Sequence, residues 1–460
     1  MEHAAREHLT LDPRYPQEMD QTMLRPMARS GRMFWLVFVI LSGLVIMLFT
    51  TWLYQMIWGL GITGLNRPVM WMLYIANFVY FIGIGHAGTF ISAALRVLKF
   101  EFRRPISRAA ETVTVFALLT ASLFPLIHIG RAWKFYYLIP FPNQRQLWPS
   151  YHSPLIWDAT AIFTYLSCSI LFAYIGMLPD LAMARDHTTG WRQRFFKAVA
   201  LGWRGTTKEW ANQETALNVF SYAIIPVMFS VHTIVSWDFA MALQPGWHST
   251  IFGPYFVVGA LFSGAGAVIM VLAVIRKAMH LEYFIRKEHF AGMAMFLLIL
   301  SLTWDYFYFN DFIVPWYGQD PVEKTLTVLL TSGRWSVLFW LMIFSNTILP
   351  AATLWSKRVR TSPLALFIIG AFIQVGMWLE RFIIIPVTLG QNWLPFDWGT
   401  YTLHLPEALI TIGAFSFFGL MYLLFTRFFP VIPVWEVLEG QLLQTVRRIG
   451  RALVPSRTEE

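Results

Sequence analysis

The run MFWLVFVILSGLVIMLFTTWLYQMIWGL, residues 33–60, holds no charged side chain over 28 positions. A helix needs about 20 apolar residues to cross the hydrocarbon of a bilayer, so this run is long enough to span it. Comparable runs recur along the whole chain. Inside hydrocarbon every backbone N–H and C=O must be satisfied internally, which leaves helices and closed barrels as the only spanning structures. The short alternating strands of a barrel are absent, and the chain reads as an all-α polytopic membrane protein. Its composition agrees: 57% of residues are hydrophobic and 13% charged, against about 25% charged in soluble proteins.

Ten spans are expected, near 33–60, 69–97, 109–133, 154–180, 214–243, 250–278, 289–313, 334–356, 363–388 and 402–428. The first 32 residues are polar and lack the apolar core of a cleavable signal. Lysine and arginine are unevenly shared between the connections. The N-terminal tail, every second connection and the C-terminal region hold 28 of the 35, and the opposite face holds six: Arg67, Arg131, Lys134, Arg145, Lys324 and Arg334. The positive-inside rule then places both termini in the cytoplasm. It also explains the net charge of +9 without nucleic acid as a partner. The domain plan is a tail (1–32), a membrane domain (33–430) and a second tail (431–460).

Two connections stand out. The one between spans four and five, ARDHTTGWRQRFFKAVALGWRGTTKEW, mixes basic and aromatic residues at helical spacing, as expected of an amphipathic helix on the inner leaflet. The connection between spans three and four, KFYYLIPFPNQRQLWPSYHSP, is either an interfacial aromatic belt or a docking surface for an extracytoplasmic partner. A faint repeat links GIGHAGTFISAALRV in span two with LFSGAGAVIMVLAVIRK in span six. Both run inward and begin with small residues, which let membrane helices approach closely. Two four-helix bundles, spans 2–5 and 6–9, flanked by spans one and ten, fit that repeat.

An ionisable side chain at the centre of a membrane helix costs at least about 2.5 kcal/mol, so each needs a partner, a cavity or a function. On this topology they gather in the outer half. His128 and Arg131 sit three residues apart at the outer end of span three, on one helix face. Asp158 lies just inside span four, His232 and Asp238 in the outer half of span five, and Asp305 in the outer part of span seven. Glu380 and Arg381 lie toward the outer end of span nine and Glu407 early in span ten. Only His86, midway along span two, lies deeper. His128 and His232 also fit plain helix–helix hydrogen bonding, and Asp311, Arg334 and Glu407 fit solvated positions at the interface. Adjacent helix residues point about 100° apart, so Glu380 and Arg381 are expected to find separate partners. Arg381, sharing a face with Gln374 and Trp378, is expected to turn toward a carboxylate of the outer cluster.

One haem between His128 and His232 stays open on depth alone, since axial histidines must face each other at one level. No second pair would serve two haems across the bilayer. Cys168 is the only cysteine, so the chain can form no internal disulfide and cannot hold an iron–sulfur cluster by itself. No metal motif or phosphate loop occurs in a credible context. An outer pocket of carboxylates, histidine, arginine and aromatics suits a quinol. Its tail enters from lipid and its head group needs acceptors for the protons it loses on oxidation.

WLERFIIIPVTL, GIGHAGTFISAALRV, and FPLIHIGRAWKFYY followed by SPLIWDATAIFTYLS resemble the NrfD/PsrC-type (polysulfide reductase-like) membrane subunits. The ten-span length, SYHSPLIWD and VHTIVSWDFA look most like the quinol-oxidising subunit of bacterial alternative complex III. The resemblance covers about 33–430. It implies two four-helix bundles without haem and a site near the periplasmic face oxidising a quinol, menaquinol or similar. It implies three partners: an iron–sulfur subunit, a multihaem cytochrome c and a second NrfD-like membrane subunit, within a respiratory or photosynthetic complex. The family's site falls on His128 and Asp158, extending to Asp238, Asp305 and Arg381; no metal ligand is implied. A proton path, if the chain has one, would use His86, His232, Glu380 and Glu407. Two other readings fit the intramembrane charges: an ion or solute transporter, and a passive anchor for a periplasmic redox enzyme.

Overall fold

The computed structural model describes residues 31–138, 152, 154–449 and 452–455. Most of the N-terminal tail, most of the aromatic connection before span four and the last arginines of the chain lie outside the described residues. Among the described residues, ten helices are long and apolar enough to cross a membrane. They are α1 (Arg32–Trp58), α2 (Met72–Val97), α3 (Ser107–His128), α4 (Pro154–Asp186), α5 (Thr207–Ala240), α6 (Phe252–Ala278), α7 (Lys287–Gly318), α8 (Ser336–Thr353), α9 (Pro363–Val387) and α10 (Leu405–Phe428). The chain is thus the polytopic helical protein its hydropathy calls for. Besides shorter helices, the described residues include a short antiparallel pair near the C-terminus, Val446–Ile449 with Ala452–Pro455.

Local chemistry sets the helix ends, and in places it moves them. Thr206 and Glu209 form a capping box that starts α5 seven residues before the apolar run begins at 214. Such a box satisfies two of the free N–H groups at a helix start. Gly130 takes φ +72° just after α3, a left-handed conformation that ends a helix at little cost to glycine. The helix therefore stops at His128 and not near 133. Arg131 is exposed in the turn beyond it, and the expected helical face shared by His128 and Arg131 does not form. α8 and α9 each contain a π-helical turn, Phe344–Ile348 and Ile383–Val387, the second around Pro386.

α2 packs on α3, α5, α6 and α9, while α6 packs on α2, α5, α7 and α9. α4 joins α5 and α3, α8 joins α9, and α1 pairs with α10. Burial follows: 83% of the α2 window and 72% of the α6 window are enclosed, against 6% for α1. Apolar side chains gain little by leaving lipid for protein, so close backbone approach must hold such a centre together. The two small-residue stretches supply it. A Cβ on Gly264 of α6 would lie 2.4 Å from Ala87 Cβ and 2.7 Å from the Ile84 carbonyl of α2. A Cβ on Gly88 would lie 2.0 Å from the Ala110 carbonyl of α3.

At the basic end of the bundle the chain returns as a helix, Val434–Thr445, docked on α2, α3 and α4. Glu436 accepts from Arg96 and, at 2.6 Å, from Arg103; Arg104 reaches Glu439 at 2.8 Å. Arg108 pairs with buried Asp180, which also accepts from the Trp435 N–H at 3.2 Å. Burial pushes the Glu436 carboxyl up, but the surrounding arginines outweigh it and hold the group below the ordinary glutamate range. Beside it the short helix Gly190–Val199 buries Phe196 among Leu181, Ala182 and Ala184, leaving Trp191, Arg194 and Lys197 exposed. That is the amphipathic segment expected between spans four and five.

Candidate functional site

Asp158 is five residues into α4 and Asp238 is three from the end of α5. The two helices are packed neighbours that cross in opposite senses, so the start of one meets the end of the other. The two carboxyls are brought close to one another there, electrostatically coupled across the helix pair. Ionised carboxylates only accept hydrogen bonds, so a bond between these two would need one proton held by the pair. Oδ1 of each residue is also buried with no partner, which leaves acceptor capacity. Trp157 and Trp237 meet edge to face beside the pair, ring centres 6.1 Å apart. The adjoining face of α4, with Ala159, Thr160, Phe163 and Thr164, is exposed. Asp158 is buried and Asp238 half-buried beside that face.

Deeper in, two histidines from α2 and α5 pack together. The rings of His86 and His232 are 4.5 Å apart, edge to face, and Tyr165 stacks on His86 at 4.8 Å. His86 Nδ1 is 2.6 Å from the Ile82 carbonyl, so it carries the ring proton and leaves Nε2 as an acceptor. That Nε2 has no partner, nor has either nitrogen of His232. His232 thus faces His86.

The third assembly belongs to α9 and its neighbours. Arg381 lies over the Phe256 ring at 4.3 Å, and its Nε is 3.4 Å from Glu380 Oε2. The expectation that Arg381 pairs with a carboxylate of the outer cluster is therefore corrected: its carboxylate partner is its own neighbour in sequence. The Cα directions do diverge, but the long side chains fold back toward one another because both are enclosed, at 0% and 2% exposure. Gly259 makes room, since a Cβ there would lie 3.0 Å from Arg381 Nη2. Glu380 finds further partners on other helices. Its Oε1 accepts from the Tyr255 hydroxyl of α6 and, at 3.1 Å, from Trp304 Nε1 of α7. The polar stripe on α9 faces protein as expected. Gln374 donates to the Ser263 carbonyl (2.7 Å) and accepts from Tyr80 (2.9 Å), and Trp378 donates to Asn77 (2.8 Å).

The remaining candidates are dispersed. Asp305 accepts from Thr347 of α8. His128 ends α3, with a buried and unpartnered Nδ1. Glu407 is fully buried, not solvated: its oxygens accept from the Gly64 N–H (2.7 Å), the Tyr401 hydroxyl (2.7 Å) and the His404 N–H (3.2 Å). It ties the outer loops to the start of α10.

Several residues gain weight only in three dimensions. Asp311, which looks like an interfacial acid in sequence, lines a cavity of about 360 Å³ with Tyr308, Ser249, Glu323 and Thr388. Tyr255 and Trp304 carry no signal in a chain that is 17% aromatic. Glu111, near the basic end, is buried against Ser92; its position close to a span boundary hid it. No cluster of metal-ligating side chains occurs among the described residues.

Three relatives give this arrangement a context. The chain is 26% identical to a protein of Halobacterium salinarum provisionally named as a dimethyl sulfoxide reductase membrane subunit, over 50% of this chain and 49% of that one. It therefore spans about half the length of that relative. It is 24% identical to the menaquinone reductase integral membrane subunit of Nitratidesulfovibrio vulgaris, over 82% of this chain and 86% of that one. It is 22% identical to the Hdr-like menaquinol oxidoreductase integral membrane subunit of Archaeoglobus fulgidus, over 83% and 90%. The family described as polysulphide reductase, NrfD, matches residues 61–393, a stretch that runs from before α2 to beyond α9 and contains both the acidic pair and the Glu380–Arg381 assembly. The chain is a member of the NrfD family of polysulphide reductase membrane subunits.

Proposed function

We propose that this chain is the quinol-binding and quinol-oxidising membrane subunit of an electron-transfer complex of the alternative complex III type. The observation that carries the reading is the Asp158–Asp238 pair, which brings two carboxyls together with buried, unpartnered acceptor oxygens beside an exposed helix face that we assign to lipid. A quinol head group entering from lipid meets Trp157 and Trp237 and donates a hydroxyl to the pair. Oxidation of one quinol releases two electrons and two protons. The electrons go to an iron–sulfur centre in a partner subunit on the periplasmic side, with c-type haems beyond and a second NrfD-like subunit alongside. The carboxyl pair takes the first proton. We assign His128, at the same outer level on α3, as the second acceptor.

The names of the Nitratidesulfovibrio and Archaeoglobus relatives, a menaquinone reductase and a menaquinol oxidoreductase subunit, support a quinone as the substrate. The charge bias supports cytoplasmic termini in a bacterial inner membrane, which puts the pair near the periplasm, where the protons leave. The transporter reading predicts a site at the midplane between unwound helices; the acidic pair is displaced to one end and both its helices are continuous there. The test is quinol oxidation by the purified complex carrying Asp158→Asn. Loss of turnover with all partner chains and iron still bound supports the assignment. Full turnover would remove the pair from the site, and isolation of the native chain without iron-containing partners would defeat the whole reading.

A further inference from the structure

Below the acidic pair, a cluster of buried polar atoms without hydrogen-bond partners lies where α2, α5, α6 and α9 meet. His86 Nε2, both nitrogens of His232 and Arg381 Nη1 have no hydrogen-bond partner, and Glu380 Oε2 has only the 3.4 Å ion-pair contact with Arg381 Nε. Their residues are 0–2% exposed. They are also contiguous. The two imidazoles touch at 4.5 Å, Phe256 lies 6.1 Å from His232 and 4.3 Å from the Arg381 guanidinium, and Arg381 leads to Glu380. Buried polar groups are almost always hydrogen-bonded, and internal water is the usual partner where protein supplies none. From Glu380 the polar line continues to the Tyr255 hydroxyl. The Tyr255 ring then packs 5.9 Å from Tyr308, whose side chain lines the cavity that holds Asp311.

We infer that His232, His86 and Arg381 hold bridging water and form a transverse proton relay, from the Asp158–Asp238 pair to Glu380 and out through the Tyr308–Asp311 cavity. Asp238 and His232 are six residues apart on α5, about 9 Å along the helix, a span that bridging water covers. The steps move protons only. An O–H bond at the carboxyl pair breaks as an N–H forms on His232, and that N–H breaks as an O–H forms on Glu380; the electrons leave separately to the partner's iron–sulfur centre. Arg381 does not transfer a proton. It is a positioning residue that orients Glu380 and the water. The inference rests on the quinol reading and adds to it a separate exit, in the other half of the molecule, for one proton.

Two measurements on the intact complex test it. A high-resolution cryo-EM map should show ordered density within hydrogen-bond distance of a His232 nitrogen and of Arg381 Nη1; a dry contact overturns the relay. Infrared difference spectra on quinol oxidation should contain a carboxyl signal from Glu380, identified by its shift in Glu380→Asp. In His232→Leu that signal, scored per quinol oxidised, should be lost while the Asp158 signal stays. A Glu380 signal that survives in His232→Leu overturns the relay. So does complete loss of oxidation in an assembled His232→Leu complex, which would place His232 at the quinol itself. Should His232→Leu fail to assemble, His86→Leu is read in the same way, and the map of the unmodified complex decides independently. Full turnover in Asp158→Asn defeats the quinol reading alone, so the two failures are distinguishable.

Discussion

The helices α2–α5 and α6–α9 begin with similar small-residue helices, α2 and α6, yet they carry acid in opposite forms. In the first set, Asp158 and Asp238 meet as like groups and keep buried acceptor oxygens to spare. In the second, Glu380 is held by Arg381, Tyr255 and Trp304 and is sealed from solvent. One arrangement leaves acceptor oxygens unpaired beside an exposed helix face. The other is a buried ion pair, the kind of unit that is costly to break from one side. Sequence similarity between two halves therefore does not imply similar chemistry. The difference arises from which neighbours surround each carboxyl.

That contrast can be broken most decisively at the acidic pair. Asp158→Asn should lower quinol oxidation by about 10²–10⁴-fold, the usual contribution of a positioned acid–base group, while assembly survives; steady-state oxidation by the purified complex measures it. The ion pair should respond in stability. Arg381→Met leaves Glu380 buried without its cation and should cost about 3–5 kcal/mol, with Arg381→Met/Glu380→Gln recovering much of the loss. Thermal unfolding of the detergent-solubilised complex reads both. An equal loss in the double variant would mean that the two residues are not energetically coupled.

Smaller effects sharpen how the two sets are joined. Gly264→Val pushes a side chain into Ala87 and the Ile84 carbonyl at the seam between α6 and α2. Overpacking of this kind should cost about 1–3 kcal/mol, visible as a lower unfolding temperature, whereas Gly43→Val, which meets nothing within 4 Å on α1, should leave it almost unchanged. The mildest effect belongs to the docked helix Val434–Thr445. The Glu436 carboxyl is held below the ordinary glutamate range, so its contribution is present at neutral pH and is lost as the pH falls below about 4.3 and through its folded value. Hydrogen exchange of that helix should rise at acid pH, and Glu436→Gln should flatten the dependence.

Hydropathy alone determined that the chain crosses a membrane ten times, because each span meets its hydrophobic requirement locally, residue by residue. The same locality made the amphipathic Gly190–Val199 helix and the inward-facing stripe of α9 legible. Caps were the first thing to escape: Gly130 ended α3 early and separated His128 from Arg131, since a backbone conformation decides where a helix stops. The site was legible as a list of unusual residues but not as a set of partners. Asp158 and Asp238 stand 80 positions apart, and only the antiparallel crossing of α4 and α5 joins them. Glu407 looked solvated until the outer loops folded over it. The Glu380–Arg381 stretch misled in the opposite direction, because helical geometry fixes where a side chain starts and not where a long one ends. Enclosure decided that, through Tyr255, Trp304, Phe256 and the space left at Gly259. The price of charge in hydrocarbon is written in the sequence, but the partner that offsets it is chosen by packing between helices far apart in the chain.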